Sequence, residues 1–183
     1  YAFELHWILP KAFFNNRAGS LTTVCLNLPP VFLDINQYII KRAMDVIISS
    51  VLLLLLSPLF ILVAILIKLT DGGPVIYSQL RHGYHAKPFL MFKFRSMALD
   101  SDLSMSRVTS NDDRVTRIGK FMRKISADEL PQLWNVLAGE MSLVGPRPHI
   151  LSDTDYFSEN IQGFLKRHQV KPGLTGLAQI NSR

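Results

Sequence analysis

Apolar positions fall into two regimes along this chain. Residues 46–67, VIISSVLLLLLSPLFILVAILI, run for 22 positions without a charge, whereas elsewhere apolar groups are short and interleaved with polar ones. A helix of that length spans about 30 Å at about 1.5 Å per residue, the thickness of a bilayer core. The run is internal, long and without a small-residue cleavage site, so it is not a signal peptide. One transmembrane helix is the simple reading, and two features argue for another. Ser57-Pro58 stands at the middle of the run. Proline removes a helical hydrogen bond and crowds the preceding turn, so a kink is expected there. The serine hydroxyl beside it can satisfy the carbonyl that the proline frees. In addition Lys41 and Arg42 precede the run and Lys68 follows it, which leaves the positive-inside rule no asymmetry to act on. A helix that enters, bends at Ser57-Pro58 and returns to the same face accounts for both. Lys41, Arg42 and Asp45 share a face of that helix, so an ion pair can form at the membrane boundary and anchor it there or meet a lipid phosphate.

Three regions follow from the pattern. Residues 1–36 contain short strand-like segments, Leu5-His6-Trp7-Ile8-Leu9 and Leu21-Thr22-Thr23-Val24-Cys25-Leu26, and a break at Asn27-Leu28-Pro29-Pro30; they read as the end of a preceding domain plus a linker. Residues 37–70 are the re-entrant helix. Residues 71–183 form a further domain that opens on the turn Asp71-Gly72-Gly73-Pro74. In it Val75-Ile76-Tyr77 and Phe89-Leu90-Met91-Phe92 read as two strands joined through Gly83-Tyr84-His85. Strand alternation puts Lys93 and Arg95 on one face, where two cations can grip a diphosphate or form a solvated polar face. Residues 99–113 are polar and read as a loop. Ile118, Phe121, Met122 and Ile125 recur at helical spacing, with Arg117, Lys120, Arg123 and Lys124 around them. Such a helix either lies in a headgroup plane or packs on a core. The expected fold is therefore α+β: a mainly helical, membrane-associated domain with a kinked re-entrant helix and a small β-hairpin.

Composition narrows the partners. The net charge is +6 over 183 residues with 48% apolar positions, the pI is about 9.6 and the mean hydropathy +0.19. A basic, apolar-rich chain suits an anionic membrane surface or phosphate-bearing substrates, with nucleic acid as the competing class. The single cysteine, Cys25, excludes an internal disulfide, and no Cys/His cluster has zinc spacing. The chain starts at Tyr1 and stops at Arg183, and reads as a piece of a longer protein.

The chemistry concentrates in Ser126-Ala127-Asp128-Glu129-Leu130-Pro131-Gln132-Leu133-Trp134-Asn135. Two adjacent carboxylates can hold a divalent metal, attack phosphorus, or cap a helix. A capping box from Ser126 to Glu129 would put Pro131 inside the helix, where its missing N–H is needed. A helix beginning near Asp128 moves Pro131 into the tolerated first turn and sets both carboxylates at the positive helix mouth, which lowers their pKa. Downstream, Val144-Gly145-Pro146-Arg147-Pro148 cannot be regular helix or central strand. It is a stiff loop around a guanidinium suited to phosphate, or around a structural arginine. Lys171-Pro172-Gly173-Leu174-Thr175-Gly176 is a second Gly/Pro loop and lacks the spacing of a P-loop.

Taken together these blocks resemble the bacterial sugar transferase family, the monotopic polyprenyl-phosphate hexose-1-phosphate (phosphoglycosyl) transferases. The matching stretches are Lys41-Arg42-Ala43-Met44-Asp45, the run with Ser57-Pro58, Lys93-Phe94-Arg95-Ser96-Met97, Thr116-Arg117-Ile118-Gly119, Asp128 through Val136, Met141 through Pro148, and Lys171 through Gly176. They cover roughly residues 37–183 in one order. The resemblance implies a phosphotransferase of the undecaprenyl-phosphate sugar-1-phosphate class. It would move a hexose-1-phosphate from a UDP-sugar to undecaprenyl phosphate and release UMP, as the first membrane step of exopolysaccharide, capsule or O-antigen synthesis. It also implies Asp128 as the nucleophile of a covalent phosphosugar intermediate, Glu129 as its assistant, and Mg²⁺ held by Glu129 and Asp128. Lys93, Arg95 and Arg147 match donor-phosphate positions, and Gln132, Asn135, Lys171 and Thr175 are further site candidates. The implied location is the bacterial inner membrane with the site on the cytoplasmic face, and the implied partners are the two substrates and membrane lipid, with no nucleic acid. The sugar, the pathway and the formation of a homo-oligomer stay open. Where the family usually has a second glycine after Gly83, this chain has His85-Ala86-Lys87, and the family domain continues past Arg183. The rival class is a non-enzymatic, membrane-anchored basic module binding nucleic acid or anionic lipid, which would be indifferent to Asp128 and strongly salt-dependent.

Overall fold

The computed structural model describes residues 34–98 and 112–181. The strand-like segments read within residues 1–33 and the polar loop at 99–111 lie outside the described residues. The order of elements is α1 (Ile35–Leu55), α2 (Ser57–Asp71), β1 (Ile76–His82), β2 (Pro88–Phe94), α3 (Arg117–Lys124), α4 (Gln132–Ala138), β3 (Ser142–Val144), α5 (Leu151–Asn160), β4 (Gly173–Thr175) and α6 (Leu177–Asn181), with 3₁₀ turns at Tyr84–Ala86, Ala127–Glu129 and Phe164–Gln169.

The apolar run is broken where its proline stands. No single helix among the described residues is long and apolar enough to cross a membrane, but α1 and α2 pass together as a pair bent by 59°. Pro58 cannot donate to the carbonyl four residues back, that of Leu54, and the Ser57 hydroxyl donates to it instead at 2.8 Å. The kink is therefore satisfied from within the chain, as an apolar setting demands. α2 ends at Gly72, whose left-handed conformation (φ 71°) suits a residue without Cβ.

Two apolar clusters organise the rest. One joins Val63 and Ile67 of α2 to Phe94, Met122 and Ala127, with Phe60 edge-on to Phe94 at 5.1 Å. The C-terminal half of α2 is thus bound into the domain core. The second cluster is Phe89, Met91, Val136 and Met141. Leu59 also packs on the first cluster, while many other apolar positions of α1 and α2 are exposed, Leu54, Leu55, Ile61 and Leu69 among them. A continuous exposed apolar surface of this kind marks an interaction with something apolar. The expected apolar face of α3 divides: Met122 is buried and Ile118 packs on the core, while Phe121 and Ile125 stay exposed.

The hairpin forms where the two strand segments flank Gly83-Tyr84-His85, with longer strands than the segments read. β1 and β2 pair antiparallel from Ile76 opposite Phe94 to His82 opposite Pro88. The second sheet was not expected. β3 and β4 pair in parallel, Ser142 with Gly173 and Val144 with Thr175, and each lies where the sequence reads as a Gly/Pro loop. The backbones touch here: a Cβ on Gly173 would stand 2.0 Å from the Gly145 nitrogen. Glycine is needed for close approach at this point, not for its φ. Gly145 N–H donates to the Thr175 carbonyl at 2.9 Å and Gly173 N–H to the Pro146 carbonyl at 2.9 Å, which fixes the start of the Arg147 loop.

α1 is tied to the domain by charge. Asp45 is 4% exposed. It pairs with Lys41 at 2.6 Å, accepts from the Ser142 hydroxyl at 2.8 Å and from Leu143 N–H at 3.1 Å. Lys41 also donates to Ser142 Oγ. Arg42 donates to the Val136 and Leu137 carbonyls at 2.6 and 2.7 Å, adding to the Gly139 N–H that already meets the Val136 carbonyl in the last turn of α4. The Lys41-Asp45 pair expected at a membrane boundary thus faces protein on one side, and Asp45 belongs to an interior network.

Candidate active site

The acid pair occupies the 3₁₀ turn Ala127–Glu129, and α4 starts only at Gln132, with Pro131 as its N-cap. Ser126 is left-handed (φ 59°) and makes no capping bond through its side chain. The expectation that a helix begins near Asp128 is corrected in position: Pro131 stands before the helix rather than in its first turn, so the carboxylates precede α4 by a turn.

The two carboxylates live in different surroundings. Glu129 Oε1 accepts from Lys93 Nζ at 2.9 Å and from Arg147 at 2.9 Å. Burial alone would raise its pKa, but these two cations outweigh burial and hold it below the usual range. Asp128 is buried; a hydrogen bond from its own backbone amide acts on its carboxyl, with Lys93 and Arg123 as the cations in range. Burial raises its pKa, and the charge of Glu129 adds to this against the opposing pull of Lys93 and Arg123. The expectation that a helix mouth lowers both values therefore fails for Asp128, because desolvation is the larger effect there. Two adjacent carboxylates pushed apart in this way are equipped for different roles: one already committed to cations, the other more basic.

An open crevice lies beside Glu129, lined by Arg81, Met91, Lys93, Glu129, Gln132, Arg147, Pro148 and Gly173, with Asp128 outside this lining. Of the residues singled out in the sequence, it gathers Lys93, Glu129, Gln132 and Arg147. Arg95 is elsewhere, in a separate crevice with Ile67, Thr70, Met97, Thr116 and Ile118. β2 ends at Phe94; Arg95 N–H still meets the in-register Val75 carbonyl at 2.9 Å, but beyond the strand its side chain no longer shares a crevice with Lys93. Asn135 is fully buried and committed to structure, accepting from Phe92 N–H at 3.0 Å and donating to the Leu90 carbonyl and to Glu140 at 2.7 Å each. It stitches α4 to β2 and leaves nothing for a ligand. Lys171 lies 6.0 Å from the Tyr38 ring centre, facing α1. Thr175 is exposed and contributes its carbonyl to the β3–β4 contact.

Sequence reasoning passed over two arginines. Arg81 lines the crevice from β1. The signal for it was the hairpin register: opposed residues share a face, so Tyr77, Gln79 and Arg81 stand with Lys93, Met91 and Phe89. Arg167 donates to the Arg147 carbonyl, contacts His149 Nε2 at 3.1 Å and lies over the Phe164 ring at 4.8 Å. It braces the Arg147 loop from behind. Burial first, and then Arg167, lower the His149 pKa to about 4, so this imidazole is neutral at physiological pH.

The bacterial sugar transferase family matches residues 36–183. The chain belongs to the bacterial sugar transferase family. Among its relatives, a UDP-glucose:undecaprenyl-phosphate glucose-1-phosphate transferase of Klebsiella pneumoniae is 46% identical over 179 residues, 94% of this chain and 38% of that protein. An undecaprenyl-phosphate glucose phosphotransferase of Komagataeibacter xylinus is 53% identical over 146 residues, 77% of this chain and 27% of that protein. A UDP-N-acetylgalactosamine-undecaprenyl-phosphate N-acetylgalactosaminephosphotransferase of Aeromonas hydrophila is 44% identical over 142 residues, 77% of this chain and 34% of that protein. The chain thus spans roughly a third of the length of these bacterial sugar transferases, and the relatives differ in the sugar they are named for.

Proposed function

We propose that this chain carries the catalytic unit of an undecaprenyl-phosphate sugar-1-phosphate transferase, which moves a hexose-1-phosphate from a UDP-sugar to undecaprenyl phosphate and releases UMP. The observation that carries the reading is the unequal acid pair: a desolvated Asp128 beside a Glu129 already held by Lys93 and Arg147. A carboxylate oxygen of Asp128 attacks the phosphorus that bears the sugar. The bond from that phosphorus to the bridging oxygen breaks, UMP leaves with the electron pair, and a sugar-phosphate ester of Asp128 remains. A phosphate oxygen of undecaprenyl phosphate then attacks the same phosphorus and frees Asp128. Two substrates using one nucleophile in turn give ping-pong kinetics. Anion meets anion in both steps, so Lys93 and Arg147 are needed to offset the charge that accumulates.

The donor set suits Mg²⁺. Asp128 and Glu129 offer two carboxylates, and among the described residues no group of three or more His, Cys, Asp or Glu is arranged around a metal. Mg²⁺ is commonly held by one or two carboxylates, with waters and substrate phosphates completing its shell. Bound by Asp128 and Glu129, it would neutralise charge on the donor diphosphate.

The bend at Ser57-Pro58, the basic residues on both flanks and the outward apolar surface of α1 and α2 support a re-entrant helix in the bacterial inner membrane, with the crevice on the cytoplasmic side. With Cys25 replaced by Ser, cysteines introduced as Gln37→Cys and Thr70→Cys should both label from the cytoplasmic side only. Periplasmic labelling of either would reject the hairpin. The activity itself is tested by UMP release from a panel of UDP-sugars with undecaprenyl phosphate in detergent. UMP should appear with at least one sugar and cease with EDTA. No UMP from glucose, galactose or N-acetylated donors, together with salt-sensitive binding of DNA or RNA, would support the basic-module alternative.

A further inference from the structure

We propose that Arg81 is a direct ligand of the donor diphosphate, forming with Arg147 a two-guanidinium clamp across the crevice. The choice of ligand rests on the sugar-phosphate transfer reading; the placement of the clamp rests on the crevice alone.

Position comes first. β1 and β2 share a face on which Arg81 and Lys93 both stand, and Arg81, Lys93, Arg147 and Glu129 line one crevice. Arg81 is also bridged through its backbone to Ile150, just beyond the Arg147 loop, so it is held on rigid structure at the wall of the site.

Its partners are too weak for a structural ion. Among the described residues no carboxylate pairs with Arg81. Asp153 from α5 and Glu129 attract it only at longer range, while Arg147 repels it, and burial with that repulsion lowers its pKa. A guanidinium nonetheless stays charged. Its hydrogen bonds go to neutral acceptors, Gln79 Oε1 at 2.6 Å and the Pro148 carbonyl at 3.4 Å, and its Nε is buried without a partner. The contact to Pro148 is long for an N–H···O bond, and Arg167 already braces that loop. Holding the loop therefore does not account for a buried cation here.

Charge balance supplies the ligand class. Of the charged residues lining the crevice, Arg81, Lys93 and Arg147 are cations and Glu129 is the anion, so three positive charges less one negative leave two positive charges over. The two phosphates of a nucleoside diphosphate sugar carry one negative charge each. A diphosphate between the arginines would replace their repulsion by charge-assisted, paired hydrogen bonds, and would give the buried Nε an acceptor.

The test measures binding of UDP to the full chain in detergent by calorimetry, without turnover, beside steady-state kinetics. Arg81→Gln should weaken UDP binding about 10- to 100-fold, the range for a lost charged hydrogen bond. It should raise the donor KM by a similar factor and leave the KM for undecaprenyl phosphate unchanged. Arg81→Lys keeps the charge and loses the fork, and should fall in between. UDP affinity unchanged in either variant overturns the proposal, as does failure of the wild-type chain to bind UDP. If Arg81→Gln does not fold, Arg81→Lys decides by the same criterion. Wild-type binding that is sensitive to Arg81 without any sugar-phosphate transfer would keep the clamp and overturn the transferase reading.

Discussion

Asp128→Asn is expected to reduce UMP release by at least about 10³-fold, the scale set by loss of a nucleophile whose covalent step no other group replaces, while the protein folds as before. Asn has nearly the same shape as Asp but no carboxylate to form the ester. Retention of more than a tenth of the activity would sink the role given to Asp128. Stability gives an independent check. The folded-state pKa of Asp128 is raised, by burial above all. The unfolded chain therefore ionises first as pH rises, and stability is lost from the unfolded value upward until the folded value is passed. At pH 7 the ionised group costs stability, so Asp128→Asn should unfold at the same temperature as wild type or higher. The difference should vanish below the ordinary carboxylate pKa of about 3.9. Glu129 has the opposite sign: its pKa is lowered, so it stabilises above the unfolded value and that contribution fades as pH falls through the folded one. An active site that is less stable with its nucleophile than without it follows the usual trade between function and stability.

Asp45→Ala is expected to cost about 2–4 kcal/mol, measured as denaturant unfolding in detergent. The substitution strips acceptors from the Ser142 hydroxyl and Leu143 N–H and leaves Lys41 facing the domain without its partner. Buried donors left unsatisfied cost about 1–3 kcal/mol each, and Lys41 recovers part of its hydration because it is 39% exposed. Asp45→Asn keeps an acceptor and should lose less. A loss below about 0.5 kcal/mol for Asp45→Ala would mean that the network is worth no more than a surface pair.

What the sequence made legible is what depends on neighbours in sequence. Pro58 acts on the carbonyl four residues back and Ser57 answers it locally, so the bend could be argued from residues alone. Two apolar segments either side of Gly83-Tyr84-His85 delivered the hairpin for the same reason. The environment of each carboxylate could not be argued this way. Lys93 and Arg147 were visible as cations, but their convergence on one oxygen of Glu129 depends on β2, the 3₁₀ turn and the β3 loop meeting in space. Desolvation of Asp128 is likewise a tertiary quantity. Arg95 and Arg81 exchange standing because a local rule was extended past the end of its strand in one case and left unapplied across the hairpin in the other. The β3–β4 pair has three residues on each side, too few for any period to register, and its glycines signal contact only once the two backbones are side by side. Membership of the family gathered the motifs in one order; it did not say that Asn135 is spent on the backbone of β2.

The attachment of α1 has a mechanical consequence. Arg42 grips the end of the helix that follows the acid pair, and Asp45, one turn on, grips the strand that precedes Arg147. The helix after the acid pair and the strand before Arg147 thus hang from adjacent turns of one helix. If α1 rests in a bilayer, a change in its tilt is passed whole to Asp128, and lipid thickness sets the height at which a lipid-borne phosphate and that carboxylate come level.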